Sequence, residues 1–342
     1  MQKVAIVGAG HMAKVHAAAY ANMLNAEPVA IMDIREDAAN ELATAHDAQA
    51  FTCQPRSLGD FDAMLKTAKP TVVDVCVPTP WHKEYVVKAA EAGKHVVTEK
   101  PMARTLDDCR AMIEATKKAG VTFMVAHVLR YFPEFAAAKA QVDAGAVGNP
   151  AVVRTTRGGG FPHGWNDWYA NFDWSGGVCL DLIIHDFDWL RWCFGDAERV
   201  FAKGLVDRGI KHLDYALVTI RFKSGVIAHV EGTWAMPAGF AVKFEVAGDK
   251  GLLDFQNKAA VPLMIARREG EASAEPHKGA GVAIPESPTA QNPYFLELEH
   301  FIDCVESGKK PSITPEDGMK AVEISLATLE SIRTGKPITL YG

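Results

Sequence analysis

The residues best suited to chemistry in this sequence are Lys100, Asp181 and His185. Lys100 follows the apolar run 95–98 and stands within Glu99-Lys100-Pro101. Asp181 and His185 are four apart in a segment, 177–194, that reads as one helix, so the spacing puts both on one face. Asp188 falls near the same face. Leu182, Ile183, Ile184, Phe187, Trp189 and Leu190 make this helix apolar nearly all round, which implies burial. Buried ionisable groups are costly unless paired or used. An imidazole titrates near neutrality and suits a general base that takes an alcohol proton. A lysine ammonium at the same oxygen would favour its deprotonation. Asp181 would orient the ring or the substrate and offset the charge of Lys100. Taken alone, a D-x-x-x-H pair is more often structural, and a lysine after a strand is usually a solvated end. A shared metal ion would need a third ligand, and none is evident.

A second constellation is Gly8-Ala9-Gly10-His11-Met12-Ala13, which fits G-x-G-x-x-A between an apolar run and a helix-period segment. Gly8 permits the tight turn, Gly10 lets the backbone approach a pyrophosphate, and Ala13 lets the helix pack closely. The pyrophosphate would sit on the helix N-terminus at His11 and Met12. Asp33 closes the next apolar run, about 20 residues on, where an acid accepts hydrogen bonds from the adenosine ribose. It would also repel a 2′-phosphate, which favours NAD over NADP. Arg35 works against that preference, because an arginine there can hold the extra phosphate.

The elements that must position these groups fall into two textures. In the first, strands at 3–7, 28–33, 71–77, 95–98 and 121–125 alternate with helices at 11–24, 36–46, 80–92 and 106–119, with Gly93 and Gly120 placed to end the last two. This is the pattern of βαβ units and a doubly wound parallel sheet, a Rossmann domain over residues 1–125. In the second, residues 126–342, a helix at 133–144 leads into strand-like runs at 151–156, 199–206, 215–222, 226–234, 241–246 and 251–255. Lys223-Ser224-Gly225 reads as a hairpin turn. An α+β domain with a large, mainly antiparallel open sheet is expected. Residues 268–293 read as a long loop, and helices near 294–307 and 315–334 close the chain. Along 226–233 both alternating sets are mixed, which suits burial on both faces.

Composition narrows the partners. A net charge of -6 without a block of like charge argues against nucleic acid and anionic membrane surfaces. No run of about 18 apolar residues suggests a membrane span. The six cysteines are scattered without a C-x-x-C pair, which reads as reduced thiols in a cytoplasmic protein without a metal site.

With these residues in view, the chain resembles the glucose–fructose oxidoreductase / inositol dehydrogenase (Gfo/Idh/MocA) family over nearly its whole length. The resemblance is carried by the glycine loop, Pro78-Thr79-Pro80-Trp81-His82, Glu99-Lys100-Pro101, Ser175-Gly176-Gly177 leading to Asp181, His185 and Asp188, and Gly308-Lys309-Lys310-Pro311. It implies a dehydrogenase acting on a sugar, cyclitol or related polyol, with Lys100, Asp181 and His185 as the catalytic trio. It also implies that Thr79, Pro80, His82, Glu99 and Lys100 touch the cofactor. Arg130-Tyr131-Phe132-Pro133 resembles a family segment lining the nicotinamide-side pocket, which makes Arg130 a substrate candidate together with Lys100, Asp181 and His185. Pro101 allows a cis peptide at Lys100. Trp81 stands where asparagine is common, and Val178 replaces a third glycine.

The stretch 157–174 is dense in aromatic rings, amides and carboxylates, which suits a polyhydroxylated ligand. Trp168 is the ring taken as a substrate candidate. A sheet-covering loop or a tryptophan-rich subunit contact would use the same residues. The resemblance implies a homodimer or homotetramer formed through the C-terminal sheet. Two other functions share the fold: an NAD-recycling glycosidase that oxidises its sugar transiently, and a non-catalytic NAD or sugar sensor.

Overall fold

The computed structural model describes residues 1–55, 57–206, 214–236, 239–257, 263–267 and 292–340. The expected loop at 268–293 lies almost entirely outside the described residues. The chain divides into two compact units. The first comprises Met1–Val128, Gly164–Ser175 and Gln291–Val322, and the second Leu129–His163, Gly176–Ala290 and Glu323–Gly342. Neither unit is one continuous stretch of chain.

The first unit is built on strands β1 (Gln2–Val7), β2 (Ala26–Asp33), β3 (Gln49–Thr52), β4 (Val72–Val75), β5 (His95–Glu99) and β6 (Phe123–Ala126). All pair in parallel in the order β3-β2-β1-β4-β5-β6, so the strand order reverses beside β1, as in a doubly wound sheet. The helices are α1 (His11–Ala21), α2 (Glu36–Ala45), α3 (Leu58–Ala68), α4 (His82–Glu91) and α5 (Leu106–Ala119). Side chains of β1 and β4 are buried on both faces, as a sheet covered by helices on both sides requires. Helix α5 shows how locally the sequence sets its ends. The Thr105 side chain accepts from the Asp108 N–H, and Gly120 closes the helix at φ 68°.

The first unit also takes in α7 (Phe172–Ser175), while the second holds α6 (Pro133–Asp143), α8 (Gly177–Asp181), α9 (Ile184–Phe194) and an eight-stranded sheet. Its strands are β7 (Pro150–Gly159), β8 (Ala197–Leu205), β9 (Tyr215–Phe222), β10 (Ile227–Thr233), β11 (Phe240–Gly248), β12 (Gly251–Gln256), β13 (Leu263–Arg267) and β14 (Ile338–Thr339), in the order β13-β12-β11-β7-β10-β9-β8-β14. Every pairing is antiparallel except β7 with β10, so the sheet is mixed but mainly antiparallel, as expected. Its core interlocks aromatic rings: Phe135 lies 5.3 Å from Trp189 and 5.0 Å from Phe244. The indole N–H of Trp189 donates to the Phe135 carbonyl at 3.2 Å, so the largest core ring is also satisfied as a donor. Helices α10 (Pro293–Ser307) and α11 (Pro315–Thr334) close the chain.

Two readings change. The segment 177–194 is not one helix. It breaks at Leu182 and Ile183, where the N–H groups of both reach back to the Val178 carbonyl. The Ile183 side chain packs against β10, where a Cβ on Gly232 would lie 2.4 Å from it. That close approach is available only to glycine. The expectation of burial on both faces of 226–233 also fails within the chain. Ala228, Val230 and Gly232 are buried, while Ile227 and His229 on the other face are exposed. Leu217 and Phe240 stand on the same sheet at 46% and 48% exposure, so apolar side chains are left outside the core.

Candidate active site

The dinucleotide loop is shaped by two glycines that do different work. Gly8 has φ 103°, and a Cβ there would sit 2.6 Å from the Cys76 carbonyl oxygen at the end of β4. The fold itself demands glycine at that position. Gly10 has ordinary φ -80° and nothing within 4 Å of where its Cβ would be. No packing requires glycine there, and the space it leaves open lies at the start of α1. That helix has no side-chain cap and no acidic residue in its first turn. A bare helix N-terminus with backbone access is the geometry that receives a pyrophosphate. His11 is exposed and Met12 half-buried at this end.

Asp33 closes the loop from the side. Its Oδ2 accepts from the Ala9 N–H at 2.6 Å, and its Oδ1 accepts from the Arg35 N–H at 2.8 Å and from Arg35 Nε at 3.2 Å. The carboxylate therefore braces the glycine loop, and Arg35 folds onto it. These residues fit an adenine dinucleotide: an open glycine, a bare helix N-terminus and an acid at the second strand's end. Gly8, Gly10, His11, Met12, Asp33 and Arg35 would hold it.

Lys100 lies directly after β5, at the carboxyl edge of the sheet where open α/β folds bind ligands, and is half-buried. The Lys100 N–H donates to Glu99 Oε2 at 2.9 Å, and the Lys100–Pro101 peptide is cis. His82 is fully buried, and its ring lies between backbone carbonyls. Nε2 is 2.8 Å from the Val77 oxygen, and Nδ1 is 3.0 Å from the Pro101 oxygen. The ring thus ties the turn after β4 to the residue following Lys100. Burial, the largest influence, holds the His82 pKa below its ordinary value. Thr79 is buried and Pro80 half-buried in the short turn Thr79–Trp81. Trp81 packs edge-on against Trp174, with ring centroids 5.2 Å apart, and lies 6.4 Å from Trp165. Arg104 anchors the same stretch by donating to the Asp173 carbonyl at 3.0 Å. Trp168 stacks on Tyr169 at 3.9 Å.

In the second unit, Gly176 and Gly177 both take left-handed conformations, φ 73° and 63°, and start α8 at the turn that the Ser-Gly-Gly motif marks. Asp181 ends α8 and His185 lies in the first turn of α9, so they occupy two consecutive helices and not one face. Asp181 is buried and His185 half-buried. The other acids of α9 are engaged architecturally. Arg130 grips Asp188 with two bonds, Nε to Oδ2 at 2.8 Å and Nη2 to Oδ1 at 2.6 Å. Arg157 does the same to Asp186, with Nε 2.6 Å from Oδ2. All four side chains are almost completely buried. Sequence reasoning offered Arg130 to substrate and missed the Arg157–Asp186 pair. An acid on an all-apolar helix carries a signal for such a partner, but not its identity.

A doubly wound unit with this loop defines a dinucleotide-binding protein. Residues 2–127 match the oxidoreductase family with the NAD-binding Rossmann fold, and residues 135–254 match the GFO/IDH/MocA C-terminal domain. The chain is 30% identical to a myo-inositol 2-dehydrogenase of Thermotoga maritima over 99% of its own length and 98% of that protein. It is 29% identical to the scyllo-inositol 2-dehydrogenase (NAD(+)) of Bacillus subtilis over 99% and 96%. A solved structure of a probable dehydrogenase from Thermotoga maritima superposes with a TM-score of 0.78 at 30% identity, covering 98% of both chains. The chain belongs to the GFO/IDH/MocA oxidoreductase family. It is an NAD-binding dehydrogenase of the class acting on CH–OH groups. Among the described residues, no helix is long and apolar enough to cross a membrane.

Proposed function

We propose that this chain moves a hydride between NAD and a secondary hydroxyl or ketone of a sugar, cyclitol or related polyol. The observation that carries this reading is Lys100, held by its own backbone N–H at the carboxyl edge of β5 in the unit that carries the glycine loop. Bound NAD supplies the hydride acceptor. The protein supplies placement and proton handling. His185 takes the hydroxyl proton as general base. Lys100 hydrogen-bonds the reacting oxygen and favours its negative form. Asp181 orients the ring or the substrate and offsets the lysine charge. Trp168 covers a C–H face of the substrate. Thr79, Pro80, His82 and Glu99 shape the nicotinamide side of the site, His82 and Glu99 by fixing the backbone around Lys100. The names of the relatives support inositols as the first compounds to try.

The open face of the second unit's sheet, with Phe201, Leu217 and Ile227 exposed, supports assembly as a homodimer or homotetramer through that face. A light-scattering mass equal to one 37.1 kDa chain would remove that part of the reading.

The test of activity is the appearance of NADH absorbance when purified protein meets NAD and a panel of inositols, aldoses and sugar acids at neutral and mildly alkaline pH. Turnover with one group of polyols, lost in Lys100→Met, is the expected result. Unchanged turnover in Lys100→Met would overturn the catalytic assignment.

A further inference from the structure

A buried polar chain in the first unit has no part in the proton handling described above. His16 lies on α1, just beyond the glycine loop, and is fully buried, as is Asp74 in β4. The His16 ring faces a carboxylate on each side. Nδ1 is 2.9 Å from Asp74 Oδ2, and Nε2 is 3.2 Å from Glu99 Oε1. The other oxygen of Glu99 accepts the Lys100 N–H. One imidazole thus joins the cofactor helix, β4 and the end of β5 that carries Lys100.

A ring set between two carboxylates serves both only when both nitrogens carry protons. Burial works against that charged form, but the Asp74 carboxylate leads the opposing influences, and the His16 pKa lies well above its ordinary value. Burial likewise opposes the charged form of Glu99, yet His16 and Lys100 hold its pKa below the usual range. Ligand atoms of His16, Asp74 and the neighbouring Cys76 lie within 4.8 Å of one another, the spacing of a metal site. The hydrogen bonds already made argue otherwise. Cys76 Sγ donates to Asp74 Oδ1 at 3.3 Å, and burial pushes the thiol pKa far up, so it remains a protonated donor and not a thiolate ligand.

A buried ion triad adds little net stability over apolar packing, because desolvation offsets its attraction. What it does supply is a fixed geometry. Buried opposite charges at these distances hold one another more narrowly than solvent-exposed groups are held. We propose that His16 is a positioning residue for Lys100, acting through Glu99 to fix the backbone from which the ammonium is presented. The catalytic meaning of this rests on the role assigned to Lys100 above; the positioning does not.

The test compares two amides at one position in the full-length protein with saturating NAD. His16→Asn places its amide where Nδ1 was, so it keeps Asp74 and loses Glu99. His16→Gln reaches as far as Nε2, so it keeps Glu99 and loses Asp74. Acetic anhydride labelling, followed by peptide mass spectrometry, gives the reactivity of Lys100 relative to the exposed Lys118. Lys100 should label at least about threefold faster in His16→Asn than in wild type and stay near wild type in His16→Gln, as expected for a segment released locally. A merely structural histidine would give both variants the same change. Any result in which His16→Asn does not exceed His16→Gln overturns the proposal. Should either variant fail to fold, Glu99→Ala and Glu99→Gln replace the pair. Gln keeps an acceptor for the Lys100 N–H and Ala removes it, so the Ala variant must label faster or the proposal falls. Turnover of Lys100→Met is read separately and decides only the catalytic role.

Discussion

Asp33 Oδ2 accepts the Ala9 N–H at 2.6 Å, so the acid that ends the second strand also holds the middle of the glycine loop. Removing it affects the loop and any ribose contact together. Asp33→Ala should weaken NADH binding by about tenfold or more, the scale of one charge-assisted hydrogen bond. NADPH should lose less, because repulsion of its phosphate goes with the carboxylate. Fluorescence titration with both dinucleotides checks this, and equal losses for the two would contradict it.

Gly8 and Gly10 should separate fold from ligand. Gly8→Ala drives a Cβ into the Cys76 carbonyl at a left-handed φ, so it should lower the melting temperature or prevent folding. Gly10→Ala meets nothing within 4 Å, so the melting temperature should hold while NADH binding weakens. A Gly10→Ala protein that binds NADH normally would remove the pyrophosphate from that space.

Lys100→Met should lower kcat by about 100-fold or more, the range for losing a group that handles charge in the transition state. NADH affinity should change little. Steady-state kinetics on an identified polyol and a separate binding titration measure the two effects.

The Arg130–Asp188 pair should behave as architecture. Arg130→Ala leaves a buried carboxylate without its partner and should cost about 3–5 kcal/mol of stability. Replacing both residues, as in Arg130→Met with Asp188→Leu, should recover most of that loss. Denaturant unfolding of the three proteins decides it; a stable Arg130→Ala with altered substrate KM would instead return Arg130 to the substrate.

His82 gives a pH dependence with a definite sign. Burial depresses its folded pKa below the unfolded value of about 6.5. Its contribution to stability is therefore complete above about pH 6.5 and lost as pH falls through the folded pKa. Melting temperatures of wild type and His82→Gln across mildly acid pH should converge as pH falls. A constant difference would show that the ring does not titrate differently on folding.

Much of the first unit is legible in the residues, because its signals are local. Apolar runs four to eight residues long, glycine at helix ends and the loop motif each depend on near neighbours. The four-residue β3 carries little local signal, because it is a half-exposed edge strand without a strong alternation. The break between α8 and α9 was invisible for a different reason. The sequence stays apolar through Leu182 and Ile183, and at the break Ile183 packs against Gly232, about fifty residues away in the chain.

The sequence by itself determined the class of the fold, the dinucleotide loop and the residue types available for chemistry, since these follow from periodicity and short-range spacing. Only the tertiary structure decided which charged groups are architectural. Asp188 shares the spacing of Asp181 in one dimension, and what separates them is Arg130, brought from 58 residues away, as Arg157 is brought to Asp186 from 29. His16, Asp74 and Glu99 likewise lie in three separate elements, and each reads alone as an ordinary buried exception. A buried charge must find its counter-charge wherever the chain folds it, so the pairing is a property of the fold and not of the spacing.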